Sequence, residues 1–85
     1  MWESRADRIE HSGPEYVYEQ IADDITADMN SGALSAGSRL PSAQELAEIY
    51  GVARLTARRA IKHLEDQRLV IVRPGKGTFV NRTKP

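Results

Sequence analysis

Apolar residues recur every four positions at Val17, Ile21, Ile25 and Met29, with Tyr18 and Ala22 beside them. That is the period of a helix burying one face. Asp23, Asp24 and Asp28 fall off the stripe. Gly13-Pro14 is expected to open this helix, with Pro14 near its first position, and Ser31-Gly32 to end it, with Gly32 in the left-handed region. Residues 33–41 read as a connector whose Leu34 and Leu40 plug the core. Ser42 followed by Glu45 is a capping box and marks a second helix start. Leu46, Ala47, Ile49 and Tyr50 give that short helix an apolar side before Gly51 stops it.

Only Gly51-Val52-Ala53 separates it from a third helix, whose pattern is the most informative in the chain. At about 100° per residue, Ala57, Ala60, Ile61 and Leu64 share an apolar stripe. Arg54, Arg58 and Lys62 line up on another, with Arg59 beside it. Guanidinium forks suit phosphates and guanine edges. Arginine-bearing helix faces are usually no more than solvated, so the flanking elements decide. Two helices joined by a short glycine-containing turn form a helix-turn-helix. After the third helix ends near Gln67-Arg68, Leu69 to Arg73 and Thr78 to Val80 read as strands around the turn Pro74-Gly75-Lys76-Gly77. The expected fold class is mainly α with a small β-hairpin (α+β): a winged helix-turn-helix of three helices and a two-stranded wing over residues 14–81. Residues 1–13, without a clear period, read as a flexible N-terminal segment in which Trp2 is a stray aromatic.

Composition first points away from nucleic acid, because 85 residues carry zero net charge. The distribution reverses this. Residues 1–51 hold three arginines against ten carboxylates, a net −7, and residues 52–85 hold nine cations against two carboxylates, a net +7. Such a dipolar domain can steer its basic side to a polyanion. The length allows one domain with a modest core. No cysteine is present, and His11 and His63 stand far apart without a ligand cluster, so no metal site is expected. His63 reads as solvated or half-buried. No run approaches the length of a membrane span and no signal-peptide core is visible, which leads to the expectation of a soluble cytoplasmic protein without a membrane partner. No nucleophile has a neighbouring base, and Gly75-Lys76-Gly77 lacks the strand-loop-helix setting of a phosphate loop. The reading is a non-enzyme with no catalytic residues and no cofactor.

From about Tyr18 to Val80 the chain resembles the N-terminal DNA-binding domain of the GntR family of bacterial transcription regulators. The resemblance is carried by Tyr18-Glu-Gln-Ile-Ala22, Gly32-Ala-Leu-Ser-Ala-Gly37, Leu40-Pro-Ser42, Glu45-Leu-Ala47, Tyr50-Gly-Val52, Arg54-Leu-Thr56, Arg58-Arg-Ala60 and Gly75-Lys-Gly-Thr-Phe-Val80. Their order and spacing are more specific than any one of them, and the last looks most like the HutC-like branch. The resemblance implies a dimeric regulator, most often a repressor, binding an inverted-repeat operator in double-stranded DNA. A C-terminal domain absent from these residues would bind a small effector. Residues 82–85 then read as the start of a linker to it, and the chain as an excised domain in preference to a naturally short protein.

Carried over by position, the resemblance puts helix 53–67 in the major groove, with Arg54 and Arg58 as the main readers and Thr56 near the backbone. Arg59 and Lys62 extend the basic face. Ser42 would bring a helix N-terminus to a phosphate, and wing 74–78 would enter the minor groove through Gly75, Lys76 and Gly77. Four residues depart from the family pattern. Gln44 replaces a frequent arginine and can still bond an adenine edge or a phosphate. Ala53 replaces a common serine and removes a cap. Leu55 is apolar where DNA is expected, suited to a thymine methyl or simply exposed without a role. Arg68 stands where glycine is usual, either strained in a left-handed site or reaching a phosphate. The rival reading is a winged helix that binds protein, which needs no cationic face.

Overall fold

The computed structural model describes residues 2–13 and 15–81. The expectations for Pro14 and for residues 82–85 lie outside them. Among the described residues the chain forms helix α1 (Val17–Asn30), strand β1 (Arg39–Leu40), helices α2 (Ala43–Tyr50) and α3 (Arg54–Asp66), and strands β2 (Val70–Arg73) and β3 (Gly77–Val80).

Helix α1 starts at Val17, later than Gly13-Pro14 suggests. The Gln20 side chain ties down the chain that precedes it. Its Nε2 donates to the carbonyls of Glu10 (2.8 Å) and Glu15 (3.2 Å), and its Oε1 accepts from the Glu10 N–H at 2.7 Å. The chain before α1 is thereby held against the helix flank. Gly32, at φ +87°, closes the far end as expected.

The capping box at α2 is complete: Ser42 Oγ accepts from the Glu45 N–H at 3.1 Å, and Glu45 Oε1 accepts from the Ser42 N–H at 2.8 Å. Gly51 at φ +67° ends α2, and the Val52 N–H returns to the Ala47 carbonyl at 3.0 Å. Helix α3 closes in the same way with a residue that is not glycine. Arg68 takes φ +62°, its N–H donates to the Glu65 carbonyl, and the Leu69 N–H donates to the Leu64 carbonyl, both at 2.9 Å. This is the paired bonding of a Schellman cap.

Two expectations need correction. The two-stranded wing hairpin forms as expected from β2 and β3, but Arg39-Leu40, read as connector, pairs with the free edge of β3 and adds a third strand. The sheet order is β1-β3-β2, all antiparallel, with Arg39 opposite Phe79 and Ile71 also opposite Phe79. Leu40 precedes a proline and is therefore biased to extended backbone, and its side chain is buried in the core. A two-residue strand is too short for alternation to announce it.

The N-terminal segment is also not a free lead. Ala6–Arg8 forms a 3₁₀ turn, the Arg5 N–H donates to the Ile49 carbonyl at 2.7 Å, and Ile9 joins the core. Arg5 is only 4% exposed. Its Nη1 donates to Asp24 Oδ2 (2.8 Å) and to the Tyr50 hydroxyl (2.9 Å). Its Nη2 lies 2.9 Å from Asp28 Oδ2, an ion pair whose angle falls short of a hydrogen bond. Its guanidinium also sits 4.5 Å over the Trp2 ring, so Trp2 is a packed aromatic. The core proper lies between the helices, where Ile21, Ile25, Leu46, Tyr50 and Leu64 are fully buried.

Candidate nucleic-acid interface

Helix α3 buries Ala57, Ala60 and Leu64 and leaves Arg54, Leu55, Arg58, Arg59 and Lys62 exposed, with Thr56 half-buried at the margin. At about 100° per residue, Leu55 stands at the middle of the exposed face. Arg58 and Arg59 flank it one turn on, and it is 64% exposed.

The basic stripe divides into two parts. Arg54 and Arg58 have no side-chain hydrogen bond or ion pair among the described residues. Lys62 donates to Asp66 Oδ1 at 2.8 Å, and that hydrogen bond and charge raise its pKa. Arg59 lies 5.9 Å over the Tyr18 ring. Tyr18 in turn stacks on Tyr16 (5.8 Å) and meets His63 edge-on (5.6 Å). His63 is accordingly half-buried, one of the two states expected for it. Arg54 and Arg58 thus stand uncommitted, while Arg59 and Lys62 face groups of the chain's own surface. Ala53 precedes α3 in extended backbone with no side-chain cap, so the first N–H groups of the helix have no side-chain acceptor and its positive end is bare.

Ser42 and Gln44 are exposed at the start of α2. The capping box occupies the N–H groups of Ser42 and Glu45, which leaves those of Ala43 and Gln44 as open donors. The Glu45 carboxyl is held below its usual range, first by the Ser42 backbone N–H, then by the Ser42 hydroxyl, with Arg39 adding charge.

At the wing, the Lys76 N–H donates to the Arg73 carbonyl at 2.9 Å and closes the turn. Gly75 and Gly77 adopt φ +80° and +131°, backbone that side chains resist. Lys76 is exposed. Arg39 was not among the residues expected here, yet its guanidinium lies against Gly77: a Cβ on Gly77 would come within 2.8 Å of Arg39 Nε. Nothing local marks Arg39, because the contact runs from β1 to the far end of β3.

The electrostatics of the acidic half follow from the N-terminal network. Asp24 accepts from Arg5, from the Tyr50 hydroxyl at 2.7 Å and from Arg8 at 3.0 Å. Burial works to raise the Asp24 pKa, but the hydrogen bonds from Tyr50 and Arg8 and the two arginine charges prevail and lower it. Arg5 and Arg8 are therefore spent on internal carboxylates. Among the described residues no helix is long and apolar enough to cross a membrane, and no group of three or more His, Cys, Asp or Glu side chains could hold a metal ion.

Comparison with known proteins gives this geometry a family. Residues 17–80 match the model of bacterial regulatory proteins, gntR family. The chain is similar to the HTH-type transcriptional repressor NagR of Bacillus subtilis, with 34% identity over 89% of this chain and 31% of NagR. It is 36% identical to the histidine utilization repressor of Klebsiella aerogenes over 86% of this chain and 30% of that protein. It thus spans under a third of either relative. Among solved structures, the AraR DNA-binding domain in complex with operator ORX1 superposes with a TM-score of 0.73 at 32% identity, covering 85% of this chain and 93% of that one. A wing, a glycine turn between α2 and α3, and a basic α3 face place the match on the elements described above, and the chain belongs to the gntR family of bacterial regulatory proteins.

Proposed function

We propose that this chain is the operator-reading module of a transcriptional repressor. Helix α3 enters the major groove and presents Arg54 and Arg58 to base edges, with Leu55 and Thr56 beside them and Arg59 and Lys62 toward the flanking phosphates. The start of α2, at Ser42 and Gln44, meets a phosphate through its open N–H groups. The wing, with Gly75, Lys76 and Gly77, tracks the adjacent minor groove. In the full-length protein two such modules related by a two-fold axis engage the halves of an inverted repeat. A small effector acts through a further domain.

The observation that carries this reading is the contrast within one helix. Lys62 makes a surface pair with Asp66 and Arg59 lies 5.9 Å from the Tyr18 ring, whereas Arg54 and Arg58 are exposed and unpaired among the described residues. Leaving two arginines unpaired at a bare helix N-terminus gains nothing for the fold, but it is the arrangement an anion requires. The likeness to a domain crystallised with its operator supports the reading that the partner is operator DNA.

The test is an amide-shift titration with an inverted-repeat duplex selected from a random pool, repeated on a scrambled duplex and at raised salt. Shifts at Ser42–Gln44, Arg54–Arg59 and Gly75–Gly77 are expected, stronger on the selected duplex and fading with salt. Arg54→Ala and Arg58→Ala should each cost about 1–3 kcal/mol on the selected duplex and less on the scrambled one. Absence of shifts on either duplex at low salt would turn the assignment toward a protein-binding winged helix.

A further inference from the structure

We infer that Arg39 is a second cation of the wing, seated over Gly77 so that its guanidinium meets a backbone phosphate beside the one approached by Lys76. The inference rests on the DNA-reading role proposed above and adds a residue to it from a strand outside the hairpin.

Geometry comes first. In β1 the buried Leu40 and the exposed Arg39 alternate across the sheet, so Arg39 stands on the outer face, opposite Phe79. From there it reaches along β3 to the wing turn. A Cβ on Gly77 would lie 2.8 Å from Arg39 Nε and 3.4 Å from its Cζ and Nη2. The missing side chain at Gly77 is what gives the guanidinium its seat.

The second observation is charge. Of the three arginines before residue 52, Arg5 and Arg8 are bound to Asp24 and Asp28, and Arg39 has no ion pair among the described residues. Glu45 and Glu48 line the same groove as Arg39, about 620 Å³ in volume, but neither takes it as an ion-pair partner. An arginine that passes over two nearby carboxylates and lies on a wing glycine keeps its donors open.

Position supplies the third. Only Leu40 and Pro41 separate Arg39 from Ser42, so the two Cα atoms are at most about 11 Å apart. Arg39 therefore sits between the start of α2 and the wing tip, the two places where backbone contact is proposed. A planar fork between them suits a phosphate bidentately, with a geometry that lysine cannot reproduce.

The experiment measures affinity of the 85-residue chain for a short scrambled duplex across a salt series, with Arg39→Gln, Arg39→Lys and Lys76→Gln as variants. Arg39→Gln should weaken binding about three- to tenfold and lower the slope of log K against log salt by about 0.9, the release from one phosphate. Arg39→Lys should keep the slope. Unchanged affinity and slope in Arg39→Gln, with a lowered slope in Lys76→Gln, would overturn the role of Arg39 while leaving the DNA reading intact. If neither variant nor Arg58→Ala changes binding, the DNA reading fails and this inference with it. A measurement on the unaltered chain guards against misfolded variants: the Arg39 Nε–H resonance should move on addition of duplex while that of Arg5 stays. An Arg39 resonance unmoved at saturation would refute the contact.

Discussion

The guanidinium of Arg5 donates to the Tyr50 hydroxyl at 2.9 Å, joining the fifth residue of the chain to the last residue of α2. Tyr50 is fully buried, and its hydroxyl passes the bond on to Asp24. The 3₁₀ turn that follows Arg5 then lies against the turn of the helix-turn-helix, where a Cβ on Gly51 would meet Ala6 Cβ at 3.0 Å. The N-terminal arm thus braces the joint that sets the angle between α2 and α3. Arg5→Ala would leave Asp28 without its ion-pair partner and Asp24 with only Arg8 and the Tyr50 hydroxyl. Removing one member of such a network costs about 3–5 kcal/mol when fully buried. The two carboxylates keep about a fifth of their side-chain surface in water, so a loss of about 2–4 kcal/mol is expected. Urea unfolding monitored by circular dichroism measures it, and a change below about 0.5 kcal/mol would show that the arm does not brace the fold.

The same network makes stability depend on pH. The folded Asp24 pKa is depressed, so its contribution is present in full above the unfolded carboxylate value, about 3.9. It is lost as pH falls through the lower folded value. Unfolding free energy should therefore decline below about pH 4 more steeply in the unaltered chain than in Asp24→Asn. The two curves should run closer to parallel above pH 6. Equal acid slopes would mean that other carboxylates, such as the capping Glu45 whose pKa is also lowered, carry the acid sensitivity.

What the sequence made legible, and what it concealed, follows from the range of the interactions. The three helices were readable because an apolar stripe, a capping box and the glycines 32 and 51 are local signals. The basic face of α3 was readable for the same reason. The third strand and the docked arm were not. Arg39 finds its partner at Phe79 and Gly77, and Arg5 finds its partners at Asp24, Asp28 and Tyr50. Each contact joins residues some 20 to 45 positions apart through single polar or two-residue features that carry no period. The contrast among the α3 cations also depended on neighbours, since Tyr18 belongs to another helix.

Arg68 offers a test of whether strain at the end of α3 serves the interface. Its φ of +62° is the left-handed region, which costs a residue with a Cβ about 1–2 kcal/mol relative to glycine. The Schellman bonds and the Asn81 side chain, which donates to the Arg68 carbonyl at 2.9 Å, hold it there. Arg68→Gly should raise stability by about 1 kcal/mol, offset in part by the greater freedom of glycine in the unfolded chain. Calorimetry reads this as a rise in Tm. A variant that is more stable and binds DNA equally well makes Arg68 a tolerated residue. One that is more stable and binds more weakly on every sequence makes it a phosphate contact kept at a cost in stability.

Leu55 is the sharpest test of what α3 reads. A leucine 64% exposed between arginines gains nothing from water, and in a major groove its natural complement is the methyl group of thymine. The sequence alone left that contact and a leucine without a role equally open. Replacing each thymine of the selected duplex in turn by deoxyuridine removes one methyl and no hydrogen bond. At one position per half-site the loss should be about 0.5–1 kcal/mol for the unaltered chain, on the order of one buried methyl, and near zero for Leu55→Ala. The double-mutant comparison isolates the contact from any general weakening caused by the substitution. If every thymine tolerates the change equally in both proteins, Leu55 does not read a thymine methyl, and the base preference of α3 rests on Arg54 and Arg58.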